Sequence, residues 1–243
     1  MLSHEYQLMH EQEMRHWWYR GRRRLILQLL RRHAPVSARP RILDLGCGTG
    51  GNTSAYQALG PVVGIEPDGN AVALAHARGG ALYCQGGGTE LPFSRESFDV
   101  VVATDVLEHI ADDAGAASEV HRVLRPGGVF VLSVPAHPWL YSRHDAALLH
   151  HRRYTRDMLV QVLQGSGLEV RWLSYWNATL FPVISAVRFA GKLRRNSAVR
   201  SDTADTPALV NEPLAGVLAL EAWLLRYVRL PWGVSLVGVA ARP

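Results

Sequence analysis

The sequence contains only two cysteines, Cys47 and Cys84, and a single lysine among its 243 residues. Two cysteines cannot build a disulfide framework, and neither belongs to a pair with metal-ligand spacing, so we expect a reducing compartment such as the cytoplasm. No stretch of about 18 uncharged apolar residues occurs, which argues against a membrane-spanning helix. The first residues also lack the charged start, apolar run and cleavage site of a signal peptide.

Basic residues are unevenly spread along a chain whose net charge is +5. The stretch from Arg15 to Arg41 is rich in arginine and contains no acid, and a second basic cluster comprises Arg188, Lys192, Arg194, Arg195 and Arg200. These clusters fit either a solvated helix face or contact with an anionic substrate or membrane surface. We expect no nucleic-acid partner, because no known binding module accompanies the charge.

Strand and helix patterns alternate along most of the chain, which predicts an α/β domain with a parallel sheet and helices on both faces. Nearly half of the residues are apolar, and the length fits one domain, residues 1–243. The predicted strands are 41–45, 61–65, 81–85, 98–104, 129–134, 168–176 and 234–241. The predicted helices are 5–33 (one or two), 52–59, 69–78, 112–124, 155–164, 178–194 and 212–230, and 135–154 is predicted to be a long loop.

A glycine-rich loop follows the first predicted strand, in the run ILDLGCGTGG at 42–51. Gly46, Gly48 and Gly51 match the dinucleotide fingerprint, and Glu66 follows at the distance of a ribose-binding acid, so these features alone could suit NAD. Asp44 argues otherwise, because a carboxylate there would repel a pyrophosphate. It would favour S-adenosylmethionine, which carries an ammonium and a sulfonium and no phosphate.

Three further motifs accompany this loop: VVGIEPD at 62–68, ELPFSRESFDVVVATDVLEHI at 90–110 and LRPGGVFVLSVP at 124–135. In this order and spacing the sequence resembles the class I S-adenosylmethionine-dependent methyltransferases, and most closely the subgroup with small-molecule and quinone methyltransferases. The resemblance implies a Rossmann-like three-layer sandwich, with a seven-stranded, mostly parallel sheet and an antiparallel last strand. It divides the chain into an N-terminal helical lid (1–39), a cofactor-binding core (40–176), a helical insert (177–233) and the last strand (234–243).

The resemblance also implies particular contacts with the cofactor. Asp44, Gly46, Cys47 and Gly48 would line its methionine end, Glu66 would hold the ribose, and Pro67 would lie beside the adenine. Thr104, Asp105 and Val106 would border the methyl-transfer site. Many relatives carry an aspartate before the LPF run that is absent here, and Gly88 and Thr89 could replace its contact with the adenine.

The N-terminal run His16–Arg22 fits a lid over the cofactor. There Trp18 would exclude water and Arg22 could meet the methionine carboxylate, although aromatic packing of a peripheral helix is an equal alternative. His109 is the best candidate for a base, and a structural role beside the cofactor is its alternative.

The predicted loop at 135–154 is the expected acceptor site, because loops at the carboxyl ends of parallel strands surround the site in this architecture. It is unusually rich in functional side chains, and the selected candidates are His144 as a second catalytic residue and Tyr141, Asp145, Arg153 and Tyr154 as substrate-binding residues. The alternative is an Arg–Asp network that only orders the loop. No histidine pair has the spacing of a regular metal motif, so we expect no metal.

These observations predict methyl transfer from S-adenosylmethionine to oxygen, nitrogen or carbon of a small acceptor, which could be hydrophobic or lipid-linked. The alternatives are an NAD-dependent oxidoreductase, or a protein that binds S-adenosylmethionine without catalysis or uses it for another reaction. The helices at 178–194 and 212–230 could cap the acceptor pocket, form a homodimer interface or dock on a membrane surface.

Overall fold

The computed structural model describes residues 3–35, 39–193 and 206–243. At its centre is a sheet of seven strands in the order β3-β2-β1-β4-β5-β7-β6. Strand β7 is antiparallel to its neighbours β5 and β6, and the other pairs are parallel. The strands are β1 (Ile42–Leu45), β2 (Val62–Glu66), β3 (Leu82–Gln85), β4 (Phe98–Thr104), β5 (Leu124–Pro135), β6 (Glu169–Trp176) and β7 (Ser235–Ala241). The predicted Rossmann-like sandwich is confirmed.

Helices cover both faces of this sheet, and two of them lie between β6 and β7, as predicted. The helices are α1 (Ser3–Gln12), α2 (Trp17–His33), α3 (Gly51–Tyr56), α4 (Gly69–Arg78), α5 (Asp113–Val123), α6 (Arg143–Ala147), α7 (Arg156–Gly165), α8 (Phe181–Leu193) and α9 (Ala208–Leu224). None of the described helices is long and apolar enough to cross a membrane.

Two hydrophobic clusters flank the sheet. One joins the strands to α5 and α7, and the other joins them to α2 and α9. Strand β4 is a run of valines buried on both faces, as a central parallel strand should be. Helices α2 and α9 approach closely because Gly21 has no side chain: a Cβ there would lie 2.6 Å from Cδ1 of Leu218.

Side-chain caps set several of the helix starts. Thr155 accepts a hydrogen bond from the backbone N–H of Met158 and caps α7, as predicted. Asp68 caps α4 by accepting from the N–H groups of Asn70 and Ala71. The Asp68 cap fixes the chain just after β2, and β2 ends at Glu66, the expected ribose-binding acid.

Two expectations differ from the structure, and part of a third lies outside the described residues. The 135–154 segment is not an irregular loop: it contains a 3-10 helix (Pro138–Leu140) and α6, which begins with a capping box between Ser142 and Asp145. The run Arg125–Gly128 lies inside β5, because Leu124 already pairs with Phe98 of β4 before the register shifts. In the predicted basic cluster, Arg194, Arg195 and Arg200 lie outside the described residues.

Candidate active site

A cavity of about 1050 Å³ opens at the carboxyl ends of β1, β2 and β4. This is where the strand order reverses, since β1 lies between β2 and β4. Helices α1, α6 and α8 and the start of α2 form its other walls. Its volume is at the upper end of the usual range of about 300–1,000 Å³ for ligand sites, so it can hold a cofactor together with an acceptor.

The glycine loop forms the floor of the cavity. Gly46 and Gly48 have positive φ angles of 67° and 53°, a conformation that other residues rarely adopt. A Cβ at Gly46 would lie 2.5 Å from Cγ2 of Val106, and one at Gly48 would lie 2.5 Å from Cε of Met9. The positive φ angles therefore favour glycine at both positions, and at Gly46 the close approach of Val106, just after β4, leaves no room for a side chain.

Asp44 lies at the centre of this floor and is 1% exposed. Its Oδ2 accepts a hydrogen bond from the Thr53 hydroxyl at 2.6 Å. Burial raises the pKa of the Asp44 carboxyl to about 7, although the Thr53 hydroxyl and the charge of Arg22 act in the opposite direction. A buried carboxylate that faces a cavity and has no cation bound to it is suited to receive a cationic ligand group.

Glu66 ends β2 beside the glycine loop, and its two carboxylate oxygens accept from different donors. Oε1 accepts from the Tyr6 hydroxyl at 2.8 Å, and Oε2 accepts from the backbone N–H of Gly48 at 3.0 Å. Burial raises the pKa of Glu66. Sequence reasoning missed Tyr6, since a tyrosine in an N-terminal helix carries no motif signal. In the structure it brings α1 directly over the expected ribose site.

Glu13, also missed from the sequence, fixes the helical lid to the glycine loop. Its Oε1 accepts from the Thr49 hydroxyl at 2.5 Å and lies 2.8 Å from Nη2 of Arg78. Arg78 also donates to the backbone carbonyls of Thr49 and His10. The lid helix α1 therefore closes one side of the cavity through buried polar contacts.

Trp18 and Arg22, the residues of the predicted lid, lie in the first turns of α2 and line the cavity. Trp18 also packs on Trp176, with ring centroids 4.8 Å apart, so its position is compatible with both alternatives for this aromatic run. Further along α2, Leu25 and Leu29 are buried in the core. That half of the helix is part of the sandwich rather than of a lid.

At the expected adenine end, Pro67 and Gly88 line the cavity, together with Gly86. Thr89 is exposed and is not among the lining residues, which contradicts its predicted contact. Thr89 lies in the turn after β3, next to Gly88.

At the expected transfer end, Thr104, Asp105 and Val106 line the cavity. Asp105 has a positive φ of 56°, a strained conformation for an aspartate, and it accepts from the Ser133 hydroxyl at 2.9 Å. Its other oxygen pairs with the buried Arg22 guanidinium. The ion pair joins the lid to the end of β4, so Arg22 is already engaged by a carboxylate of the protein.

Glu108 is the least expected member of this end of the cavity. It is fully buried, it lines the cavity, and its two carboxylate oxygens have no hydrogen-bond partner among the described residues. Burial raises its pKa well above the usual range, with a further contribution from Asp105. An unpaired buried carboxyl is costly, so its retention at the cavity wall points to a ligand contact.

His109 and His150 lie next to Glu108, with ring centroids 4.6 Å apart. Burial lowers the pKa of His109 to about 4, and His150 contributes to the shift. Glu108, His109 and His150 each offer one ligand atom, and these atoms lie within 4.8 Å of one another. Sequence spacing did not indicate this group, because His150 comes from the segment after α6; the arrangement could hold one divalent cation.

The acceptor-loop candidates fall into two groups. His144 and Arg153 line the cavity, whereas Tyr141, Asp145 and Tyr154 do not. The Tyr141 hydroxyl donates to the carbonyl of His150, and the Tyr154 hydroxyl donates to Asp113 at 2.7 Å. These three side chains order the loop instead of facing an acceptor, which corrects the prediction for them.

Asp145 is the centre of that ordering network and is 0% exposed. It accepts from Nε of Arg153 at 2.7 Å and lies 3.0 Å from Nδ1 of His150, and Arg188 of α8 approaches it to 3.6 Å. Burial is the largest single influence on the pKa of Asp145 and raises it, but the three partners together outweigh burial, so the pKa lies below its usual range. The network holds α6, the loop after it and α8 together around the acceptor end.

Apolar side chains of α8 form the wall opposite these polar groups. Val183 and Val187 line the cavity and are also 63% and 66% exposed, so they lie at its mouth. Asn177 at the base of this wall is fully buried, has a positive φ of 58°, and carries an amide with no partner. The acceptor end thus combines an apolar entrance with unpaired polar groups inside.

Comparison with known proteins gives a consistent result for this domain. Residues 43–132 match the family model described as a methyltransferase domain. An uncharacterized methyltransferase of Mycolicibacterium vanbaalenii is 39% identical over 117 residues, which are 45% of this chain and 45% of that protein. A probable S-adenosylmethionine-dependent methyltransferase of Mycolicibacterium smegmatis is 35% identical over 158 residues, covering 63% of this chain and 60% of that protein.

The chain spans about half the length of the curated relatives it matches. Among solved structures, an S-adenosylmethionine dependent methyltransferase from Mesorhizobium loti has a TM-score of 0.60 at 19% identity. The superposition covers 90% of this chain and 98% of that one, so the likeness in fold extends well beyond the matched segment.

Proposed function

We propose that this chain transfers a methyl group from S-adenosylmethionine to oxygen, nitrogen or carbon of a small acceptor, because residues 43–132 match a methyltransferase-domain model and the fold is similar to that of a solved S-adenosylmethionine-dependent methyltransferase. The observation that carries this proposal is Asp44. Its buried carboxyl lies in the glycine loop, where a pyrophosphate would be repelled and an ammonium attracted. This is the feature that separates the site from a dinucleotide site.

S-adenosylmethionine supplies a methyl group activated by the sulfonium charge. The residues around it would bind and orient it: Asp44 would accept from the ammonium, Glu66 would accept from the ribose hydroxyls, and the glycine loop would allow close backbone approach. Tyr6 would share Glu66 with the ribose, because it already donates to one of the two oxygens. Helix α1 excludes water from this half of the cavity.

Proton removal from the acceptor is best assigned to Glu108. Its buried carboxyl lines the cavity next to His109, and neither of its oxygens has a hydrogen-bond partner among the described residues. A base must lie within hydrogen-bond reach of the proton that it removes, and a place on the cavity wall meets this requirement. His109 would then orient the acceptor beside it. His144 stays a candidate only as a group at the cavity wall, on α6.

The acceptor itself is expected to be small and partly hydrophobic. The exposed valines of α8 at the cavity mouth would receive an apolar portion, and Arg153 with the amide of Asn177 would meet a polar group. This division of the wall suits a lipid-like acceptor with a polar end, in agreement with the predicted hydrophobic or lipid-linked acceptor.

Calorimetry tests the cofactor assignment. We expect S-adenosylhomocysteine to bind in the micromolar range or tighter (a free energy of roughly −8 kcal/mol) and NADH to show no measurable heat. NADH binding without binding of the thioether would refute the proposal. Incubation with labelled S-adenosylmethionine and metabolite extracts should then transfer label to a small molecule, and its absence despite cofactor binding would favour the non-catalytic alternative.

Glu108→Gln tests the assignment of the base. The variant keeps the size and lacks the carboxylate, so we expect the rate of label transfer to fall by about 10²–10⁴-fold. The affinity for S-adenosylhomocysteine should change by less than about threefold, because Glu108 lies at the acceptor end. His109→Gln is the matched comparison: an equal or larger loss in rate for that variant would return the role of base to His109.

A further inference from the structure

The outer face of α9 and of the turn that follows it is apolar. Leu220, Trp223, Leu224, Tyr227 and Val228 recur at helical spacing, and their side chains are 37% to 71% exposed. We call these five residues the α9 stripe. Soluble domains rarely expose a contiguous patch of this kind unless it contacts a partner or a membrane.

The composition of the α9 stripe is that of a membrane interface. The rings of Trp223 and Tyr227 lie in contact, with centroids 5.3 Å apart. Trp232, just after the stripe, is 54% exposed. Tryptophan and tyrosine are enriched where the headgroups of a bilayer meet its hydrocarbon, since one part of each ring system is apolar and another donates hydrogen bonds.

The charge next to the stripe is positive. Arg226 and Arg229 are exposed within the same turn, and Arg32 at the end of α2 donates to the carbonyl of Arg226 at 2.8 Å. Arg226 in turn donates to the Gln28 side chain at 3.0 Å, so the two helices hold the arginines side by side.

The acids of this part of the chain lie elsewhere. Residues 206–243 contain two acids, Glu212 and Glu221. Glu221 is 3% exposed and accepts from the backbone N–H groups of Asn177 and Ala178. Glu212 lies near the start of α9, a few turns away from the stripe, and pairs there with Arg20. Neither carboxylate neutralises the arginines at the end of the helix.

We propose that the α9 stripe docks the protein on an anionic phospholipid surface, with Trp223 and Tyr227 at the headgroup level and Arg32, Arg226 and Arg229 against the phosphates. Each arginine near such a surface adds to the attraction, which salt weakens. A second copy of this chain is a poorer occupant, because two-fold pairing of the stripe would bring like charges together. The proposal is independent of the methyl-transfer chemistry and can fail without it.

Vesicle sedimentation tests the proposal on the full chain. We expect binding to vesicles of equimolar phosphatidylglycerol and phosphatidylcholine, weaker binding as salt is raised, and none to phosphatidylcholine alone. The double variants Trp223→Gln/Tyr227→Gln and Arg226→Gln/Arg229→Gln should each bind the anionic vesicles roughly tenfold more weakly or worse.

Leu82→Gln is the matched control, because Leu82 is 73% exposed on the edge strand β3 at the far side of the sheet. It should bind vesicles like the parent protein, and all variants should keep their affinity for S-adenosylhomocysteine. Equal vesicle binding by the parent and the Trp223→Gln/Tyr227→Gln variant would overturn the proposal. So would a stable dimer in solution that this variant dissociates, since the stripe would then be a protein interface.

Discussion

Asp44→Asn should reduce the affinity for S-adenosylhomocysteine by about 10²–10³-fold while the protein stays folded. The substitution keeps the shape and the neighbour Thr53, and it removes the negative charge that would face the ammonium. Breaking a buried charge pair by removing one partner costs about 3–5 kcal/mol, which sets the upper part of this range. Calorimetry measures the loss directly.

The pH dependence of binding follows from the pKa of Asp44, which burial raises to about 7 in the cofactor-free protein. A bound ammonium would lower this pKa, so the complex holds the carboxylate form more strongly than the free protein does. Binding near neutral pH should therefore release a proton, and affinity should fall as the pH drops below about 7. Calorimetry in buffers of different ionisation enthalpy detects the proton, and the asparagine variant should release none from this position.

Stability provides the control for misfolding. A carboxyl whose pKa is higher in the folded state than in the unfolded chain destabilises the fold increasingly as pH rises from about 4 to about 7. Without cofactor, Asp44→Asn should thus unfold at a higher temperature than the parent at pH 8, and the gap should shrink towards pH 4. Asp157→Asn, on the exposed face of α7, should change neither stability nor affinity. A variant that lost affinity and also unfolded more easily would show only structural damage at Asp44.

The cofactor half of this site was predictable because its residues are close in sequence to the strand ends that place them. Asp44, Gly46 and Glu66 follow from periodicity and spacing, since a parallel sheet brings those ends together. Their neighbours Tyr6 and Glu13 were not predictable. They reach the site from α1 through tertiary packing, and no local pattern records which face of a helix covers which strand end.

The acceptor half of the site was harder to predict from the sequence than the cofactor half. The composition of the 135–154 segment indicated a functional region, but its side chains could not be sorted into lining and supporting residues. Their positions relative to the cavity make that distinction: Arg153 and Asp145 are partners in one ion pair and both are buried, yet only the arginine lines the cavity. Glu108 belongs to the same motif as His109, but the sequence does not show that its side chain is buried at the cavity wall, because that position depends on tertiary packing.

The supporting role of Asp145 leads to the largest expected effect on stability. Asp145→Ala should lower the free energy of unfolding by about 3–5 kcal/mol, because it leaves the guanidinium of Arg153, whose side chain is 2% exposed, without its carboxylate. Urea denaturation at pH 7 measures the loss. Asp157→Ala removes an exposed aspartate from the first turn of the neighbouring helix α7 and should lower the free energy of unfolding by only about 0.3–1 kcal/mol, through its interaction with the helix dipole.

A double-mutant cycle separates the charge from the packing. Asp145→Ala combined with Arg153→Met should be more stable than Asp145→Ala alone, because the unpaired buried charge is gone. The direction of the pH effect follows from the pKa of Asp145, which its partners lower in the folded protein. The Asp145 carboxylate therefore stabilises the fold at pH values above its pKa of about 4 in the unfolded chain. This stabilisation is lost in more acidic solution, as the carboxylate of the folded protein is protonated. The difference between the parent and Asp145→Ala should therefore be constant from pH 6 to 8 and shrink below about pH 4. A cycle with no coupling would mean that Asp145 stabilises the loop mainly through the Ser142 cap, and that the ion pair contributes little.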